Sequence, residues 1–500
     1  MSAQLPPRSS KDAEDDEAQS SSLTALGALR VVIELGWIVR VASLQLASLE
    51  CLVACRATTE FKLKLALKTP RKVWHAKLGG IKGSSKVPRR SERLTLPQVT
   101  RLLYDRPSFD LGKGWQLPRE LEKLVLGVEF GGDIEGVAWP SGLESVVFWR
   151  RFNKAVDKVQ WPAHLKHLTF GTNFNQPVTG MSWPPRLETL TFGSWFDQPI
   201  AGVVFPSSIR RLTFGRDFNQ SLDGVVWPAR LVHLTFGFFF SRTITATTPD
   251  RWPSSLRELT IGDCFNHDVR DVAWPSALET LTFGRGFDRD IEGVTWPASL
   301  RRLKLGAMFN RPVAAGLTTA ERLEELEFGF AFNRPVVGTV WPSLLKRLVF
   351  GEEFNQAVEG VSWPPLLEEL VFSVQFDRPV AGAIWPGSLR KLAFGESFDQ
   401  PLVGAQFPDG LLEVAFGTAF NREIEGVRWP DSVRVMTFGE SFNQPVAGVE
   451  WPRDLRTLRF GCEFDQNVEG LVLPSGVDRV EFVDSYRRAS CSEEPSPLVG

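Results

Sequence analysis

Between Phe438 and Pro452 the chain reads FGESFNQPVAGVEWP, and close variants of that stretch return about every 22 residues through most of the sequence. A repeat of this period constrains the fold more than composition can. A unit so short cannot bury its own apolar edge, and it becomes stable only when stacked on copies of itself. Aligned on Trp-Pro, the units begin at 117, 139, 161, 183, 205, 227, 252, 274, 296, about 319, 341, 363, 385, 407, 429, 451 and 473. Their consensus is W-P-x-x-L-x-x-L-x-F-G-x-x-F-[ND]-[QR]-P-[VI]-x-G-V-x. The spacing departs from 22 only through three residues inserted before Trp252 and one extra residue between Trp296 and Trp341.

Each segment of the unit has a physical reading. In Leu187-Glu188-Thr189-Leu190-Thr191-Phe192 the last positions alternate as a half-buried strand does. Gly193 ends the strand at a turn expected to want an unusual φ, which a residue without Cβ adopts. The return stretch, F-N-Q-P-V-x-G-V-x-W-P, carries Pro and Gly and excludes a helix, so it is expected to be extended with Phe, Val and Trp inward. Stacking places the strands in a parallel sheet about 4.8 Å apart. The expected fold class is mainly β: a single parallel-β solenoid of about sixteen 22-residue coils. The chain has 37 Phe and 17 Trp against two Tyr, an aromatic set suited to dry packing.

Of sixteen units, nine place Asn and five place Asp (Asp197, Asp288, Asp377, Asp399, Asp465) after the second Phe. Both residues offer an acceptor oxygen and only Asn offers an NH2 donor, so the shared role is acceptance from backbone N–H groups in the turn. Calcium binding by these carboxylates is disfavoured because they stand mostly alone among neutral Asn.

The motif Phe442-Asn443-Gln444-Pro445 and its copies resemble FNIP repeats, a group related to leucine-rich repeats, over roughly residues 117–482. This chain departs by preferring Gln or Arg at the third position and by keeping the Pro in seven of sixteen units. The resemblance implies a curved solenoid with a protein-interaction role, and it brings no catalytic residue.

In a parallel stack, equivalent residues of successive units become neighbours. Arg301-Arg302, Glu324-Glu325, Lys346-Arg347, Glu368-Glu369 and Arg390-Lys391 then alternate in sign, as do Glu144, Lys166, Glu188 and Arg210. Such charges satisfy one another and pin the register, each exposed pair contributing roughly 0.2–1 kcal/mol. A nucleic-acid surface would carry a stripe of one sign instead, and none is expected here. The next outward position reads Thr169, Thr191, Thr213, Thr235, Thr260 and Thr282, then Lys304, Glu327, Val349, Val371, Ala393 and Ala415. This change makes the two ends of the sheet surface unlike.

Candidate recognition residues lie where the pattern breaks. The two positions between Gly and the second Phe are often polar, yet they hold Trp195, Phe238-Phe239, Met308 and Phe330. Large apolar side chains at normally exposed positions mark interaction surface. Phe238 and Phe239 also precede the inserted stretch SRTITATTPDR, which could instead fold over them.

Outside the repeats, residues 1–20 read as an acidic solvated tail, 21–95 as a helical cap and basic linker, 96–482 as the solenoid and 483–500 as a second tail. The apolar run 23–57 is interrupted by Arg30, Glu34, Arg40 and Glu50, so no membrane span is expected. An F-box-like arm there would make the protein a substrate-recruiting adaptor, although the expected Leu-Pro start is missing. Residues 1–116 carry 19 Lys/Arg against 11 Asp/Glu, and the basic cluster within them reads as a linker or a nuclear address. Arg487-Arg488-Ala489-Ser490 resembles a short basophilic-kinase site. Five scattered Cys form no framework and suit a reducing compartment, cytoplasmic or nuclear.

No His cluster, nucleophile motif, phosphate loop or dinucleotide fingerprint occurs. The expectation is a monomeric, non-catalytic protein-binding scaffold without cofactor, metal or nucleic-acid ligand.

Overall fold

The computed structural model describes residues 100–104, 106–108, 116–244, 252–468 and 471–482. The expected tails and the helical cap over 21–95 lie outside the described residues. The chain divides into two compact units, Met1–Ile209 and Arg210–Gly500. Each is a parallel β-solenoid. Among the described residues the first contributes five strands, from Arg101–Tyr104 to Thr189–Thr191, and the second thirteen, from Arg211–Thr213 to Arg479–Phe482.

The coil from Trp341 to Ser362 shows how the consensus becomes structure. Its strand is only Arg347–Val349, with Leu348 pointing inward between two outward neighbours. Three turns close the rest of the coil, each made by one backbone bond. Leu345 N–H donates to Pro342 at 3.2 Å, Phe354 N–H to Gly351 at 3.1 Å and Val361 N–H to Val358 at 3.3 Å. The third turn has Gly360 at its third position with φ of +74°, a left-handed conformation that strains any side chain with a Cβ. Gly351 is required for a different reason: a Cβ there would stand 1.7 Å from the carbonyl oxygen of Gly329 in the preceding coil.

Consecutive strands pair in parallel with no slip, as in Leu326↔Leu348↔Leu370↔Leu392. The insertion before Trp252 is absorbed outside the sheet, since Leu234 still pairs with Leu259. The extra residue after Trp296 is handled by Thr319, which stands where other coils have Trp. Its hydroxyl donates to the Val294 carbonyl and accepts the Trp296 N–H, both at 3.0 Å.

The core is a set of side-chain columns running along each stack. Phe354 is fully buried, lies 3.9 Å from Phe350 within its coil, and stacks on Phe332 and Phe376 at 6.0 and 6.1 Å. In the first unit Phe170 and Phe174 repeat the arrangement at 3.9 Å. Such ring pairs add about 0.5–1.5 kcal/mol beyond the burial itself. A Tyr hydroxyl in these columns would be buried without a partner, which accounts for the preference for Phe. No helix among the described residues is long and apolar enough to cross a membrane.

Candidate interaction edge of the solenoid

Outside the sheet, the G-x-x-F corners form a second ladder of backbone bonds. In most coils the residue before the second Phe donates its N–H to the carbonyl two places after the first Phe position in the coil before. In the second unit Cys264 donates to Phe238 at 2.8 Å, Met308 to Arg285 at 2.8 Å, Ala331 to Ala307 at 2.7 Å and Glu353 to Phe330 at 2.9 Å. In the first unit Trp195 donates to Thr172 at 2.9 Å. With the backbone consumed between coils, the two corner side chains point away from the core.

All five residues singled out from the sequence stand at these corners and are exposed: Trp195 53%, Phe238 37%, Phe239 41%, Met308 57% and Phe330 47%. Phe238 and Phe239 meet edge to face at 4.9 Å. The Arg216 guanidinium lies over both rings, 5.5 and 5.2 Å from their centroids, a cation–π arrangement that holds them outward. Four of the five, Phe238, Phe239, Met308 and Phe330, belong to the second unit and fall within five successive coils of one corner ladder. Trp195 holds the equivalent position in the first unit. The sequence reading missed Trp149, 44% exposed, which occupies a glycine position of the corner. The signal was present, since between Gly127 and Gly461 only Trp149 and Ser373 replace Gly there.

The [ND]-[QR] pair beside most corners clasps successive coils. Asn355 Oδ1 accepts the backbone N–H of Asp377 at 3.2 Å, and Asp377 Oδ1 that of Asp399 at 3.0 Å. Acceptance is therefore the shared role of Asn and Asp, but the donor lies in the next coil rather than in the residue's own turn. The following Gln reinforces the clasp, as when Gln400 Nε2 donates to Asp377 at 2.8 Å. Where the residue is Arg, its Nε donates to the carbonyl of the preceding coil's Asn or Asp. Arg289 reaches Asn266 at 2.8 Å, Arg334 reaches Asn310 at 2.9 Å and Arg378 reaches Asn355 at 2.9 Å.

The profile of the family described as FNIP Repeat matches residues 152–194 and 196–239. These residues are FNIP repeats. The chain is also similar to the crystal structure of CroV588, described as a novel circular LRR protein, at 34% identity and a TM-score of 0.69. That match covers 77% of this chain and 60% of the other, so the chain spans less than two thirds of CroV588. It supports a leucine-rich-repeat-like fold. An internalin, inlF, from Listeria monocytogenes str. 4b F2365 matches at 13% identity and a TM-score of 0.37, over 65% of this chain and 83% of the other. TLR13, solved in complex with ssRNA13, matches at 11% identity and a TM-score of 0.41, over 77% and 65%. Neither likeness is close enough to bear on this chain. No curated protein matches the sequence.

The repeats that follow the FNIP segments use the same clasp and the same corner, whereas the coil before them carries Gly131 at the clasp position. On their sheet face the alternating charges meet as the spacing implied. In the first unit Lys166 bonds Glu144 at 2.7 Å. In the second, Glu324 takes both Arg301 and Lys346, Arg302 meets Glu325 at 3.1 Å, and Arg347 and Lys391 converge on Glu369 at 3.1 and 3.3 Å. The hydrogen bond from Lys346, followed by that from Arg301, holds the Glu324 carboxyl below its ordinary range. Arg270 likewise lowers Asp268 to about 2. The Thr row pairs across coils, Thr213↔Thr235↔Thr260↔Thr282, and gives way to Lys304 beside Thr282.

Among the described residues no three His, Cys, Asp or Glu stand close enough to hold a metal ion. His167 lies on a strand, and His233 Nδ1 contacts Glu258 Oε2 at 2.5 Å. Neither arrangement places a nucleophile beside a base.

Proposed function

We propose that the protein is a non-catalytic protein-binding scaffold that engages its partner through the G-x-x-F corner edge. The observation that carries this reading is the set Phe238, Phe239, Met308 and Phe330, all between 37% and 57% exposed. The second Phe of each of their coils, two residues or fewer away, is buried in the core. Exposed aromatic and Met side chains on a rigid frame act as anchors that gain affinity without ordering the backbone. Trp195 is proposed as a further anchor on the first unit.

The sheet face is the weaker alternative surface, because its charges are already paired with one another. An adaptor role would rest on residues 21–95, and nothing among the described residues favours it. Cys264 carries a free thiol at the corner edge, which supports a reducing compartment, cytoplasmic or nuclear, as the working place.

The test compares full-length wild type with Phe238→Ser/Phe239→Ser and Met308→Ser/Phe330→Ser, each shown to keep its Tm. Quantitative capture from lysate should lose the same defined proteins with both variants. If the captured set is unchanged, the corner edge is not the binding surface.

A further inference from the structure

Across the five coils that present Phe238, Phe239, Met308 and Phe330, the position after Asn or Asp (Ser241 in the first) reads Arg242, His267, Arg289, Arg311 and Arg334. Each of these residues lies three or four places along its coil from the corner, so four arginines and one histidine run beside the corners coil after coil. The four Arg residues are held in the same way. Their Nε atoms bond backbone carbonyls of the preceding coil: Arg242 to Asn219 at 2.8 Å, Arg289 to Asn266 at 2.8 Å, Arg311 to Asp288 at 3.3 Å and Arg334 to Asn310 at 2.9 Å. A guanidinium tied down at Nε keeps its terminal nitrogens facing solvent in a fixed fork, the form that reads carboxylates best.

Four acidic groups beside this row are already engaged. Asp263 accepts the Arg285 N–H at 2.8 Å, Asp290 accepts the Glu292 N–H at 2.9 Å, and Asp268 is paired with Arg270. Asp288 takes Arg311 at 2.8 Å and also the Asn310 N–H at 3.0 Å. Among the described residues, Arg289 and Arg334 form no ion pair. Beyond Phe330 the edge changes character. The next corner brings Glu352 and Glu353, with Gln356 in place of Arg, and later corners bring Glu396, Glu440 and Glu463 with Gln at 400, 444 and 466, although Arg378 and Arg422 keep the cation at two coils.

We infer that this edge binds an acidic peptide segment bearing aromatic or aliphatic side chains, with its carboxylates on Arg289 and Arg334 and its apolar groups on Phe238, Phe239, Met308 and Phe330. The inference rests on the proposed function and specifies its partner. The five coils span roughly 20 Å, the length of about six extended residues. The Glu corners that follow repel such a segment and fix where it ends. A polyphosphate is a poorer fit, because Asp263 and Asp288 interrupt the row.

The design of the test comes from the repeat itself. Gln356 keeps the clasp on Asn333 without charge, at 2.7 Å to Oδ1, so Arg→Gln at this position removes the cation and retains the intercoil bond. A random twelve-residue peptide display library is selected against the full-length protein. Recovered peptides should combine Asp or Glu with Phe, Leu or Trp. Arg289→Gln/Arg334→Gln should weaken them at least tenfold with Tm unchanged and flatten their salt dependence.

Enrichment of basic or uncharged peptides overturns the inference, as does failure to enrich any. So does tighter binding of a random single-stranded oligonucleotide than of the recovered peptides. If those peptides lose binding to Phe238→Ser/Phe239→Ser but ignore the Gln variant, the apolar edge stands and the arginine row does not. Indifference to both variants removes both readings.

Discussion

Asp377 Oδ1 accepts the backbone N–H of Asp399 across the boundary between two coils at 3.0 Å. The bond is indifferent to whether the acceptor is a carboxylate or a carboxamide. Asp377→Asn is therefore expected to keep Tm within a degree or two. Asp377→Ala strips the acceptor from a partly buried amide and from Gln400, and should cost about 1–3 kcal/mol. Paired thermal and urea melts of the two variants check this. Equal losses would show that the clasp contributes nothing.

Glu324 bridges Arg301 and Lys346, and its folded pKa lies below the ordinary value of 4.5. The folded state therefore binds fewer protons than the unfolded chain between those two values. The stabilisation is complete above pH 4.5 and is lost as pH falls through the folded value. Wild type should melt above Glu324→Gln at pH 7 in low salt, and the gap should close in acid or in molar salt. A gap that persists in acid would assign the effect to packing instead.

Trp363 has its indole N–H buried without an acceptor, whereas Trp296 donates to the Gly316 carbonyl at 2.7 Å. Phe already stands at this position in two coils, as Phe205 and Phe407. Trp363→Phe removes an unsatisfied donor along with some volume, while Trp296→Phe orphans a buried carbonyl. The second should be the costlier by about 1 kcal/mol in chemical denaturation. The reverse order would refute this account of the Trp column.

The two glycine positions fail for different reasons, and the difference is measurable. Gly360→Ala meets open space but must adopt a left-handed conformation, which costs about 1–2 kcal/mol. Gly351→Ala drives a Cβ against the backbone of the coil below and should be the more damaging of the two. Circular dichroism melts rank them.

The coil itself was legible because a short repeat states its own boundary conditions many times. Leu348, Phe350 and Phe354 read as inward from a single unit, and the alternating signs at Arg301, Glu324 and Lys346 read as neighbours once stacking was assumed. The partner of Asp377 was not legible, because its donor is 22 residues away and no single coil contains both ends of the bond. The third motif position looked like tolerated variation between Gln and Arg. Only the shared Nε–carbonyl bonds show Arg289 and Arg334 as fixed forks, since their sequence neighbours Asp290 and Pro335 give no hint of it. Trp149 was less legible because it replaces the glycine itself and not one of the two variable residues that follow it.

Among the described residues the clasp from Asn or Asp to the following coil has one sense wherever it forms: an oxygen is offered forward and an amide backward. A duplicated stretch of 22 codons would enter such a stack already holding both halves of the connection, whatever its neighbours. Coil number can then change through unequal recombination without inventing an interaction, and only the first and last coils require sequences of their own. Corner side chains, beside a ladder that the backbone carries, are freer to diverge in each copy.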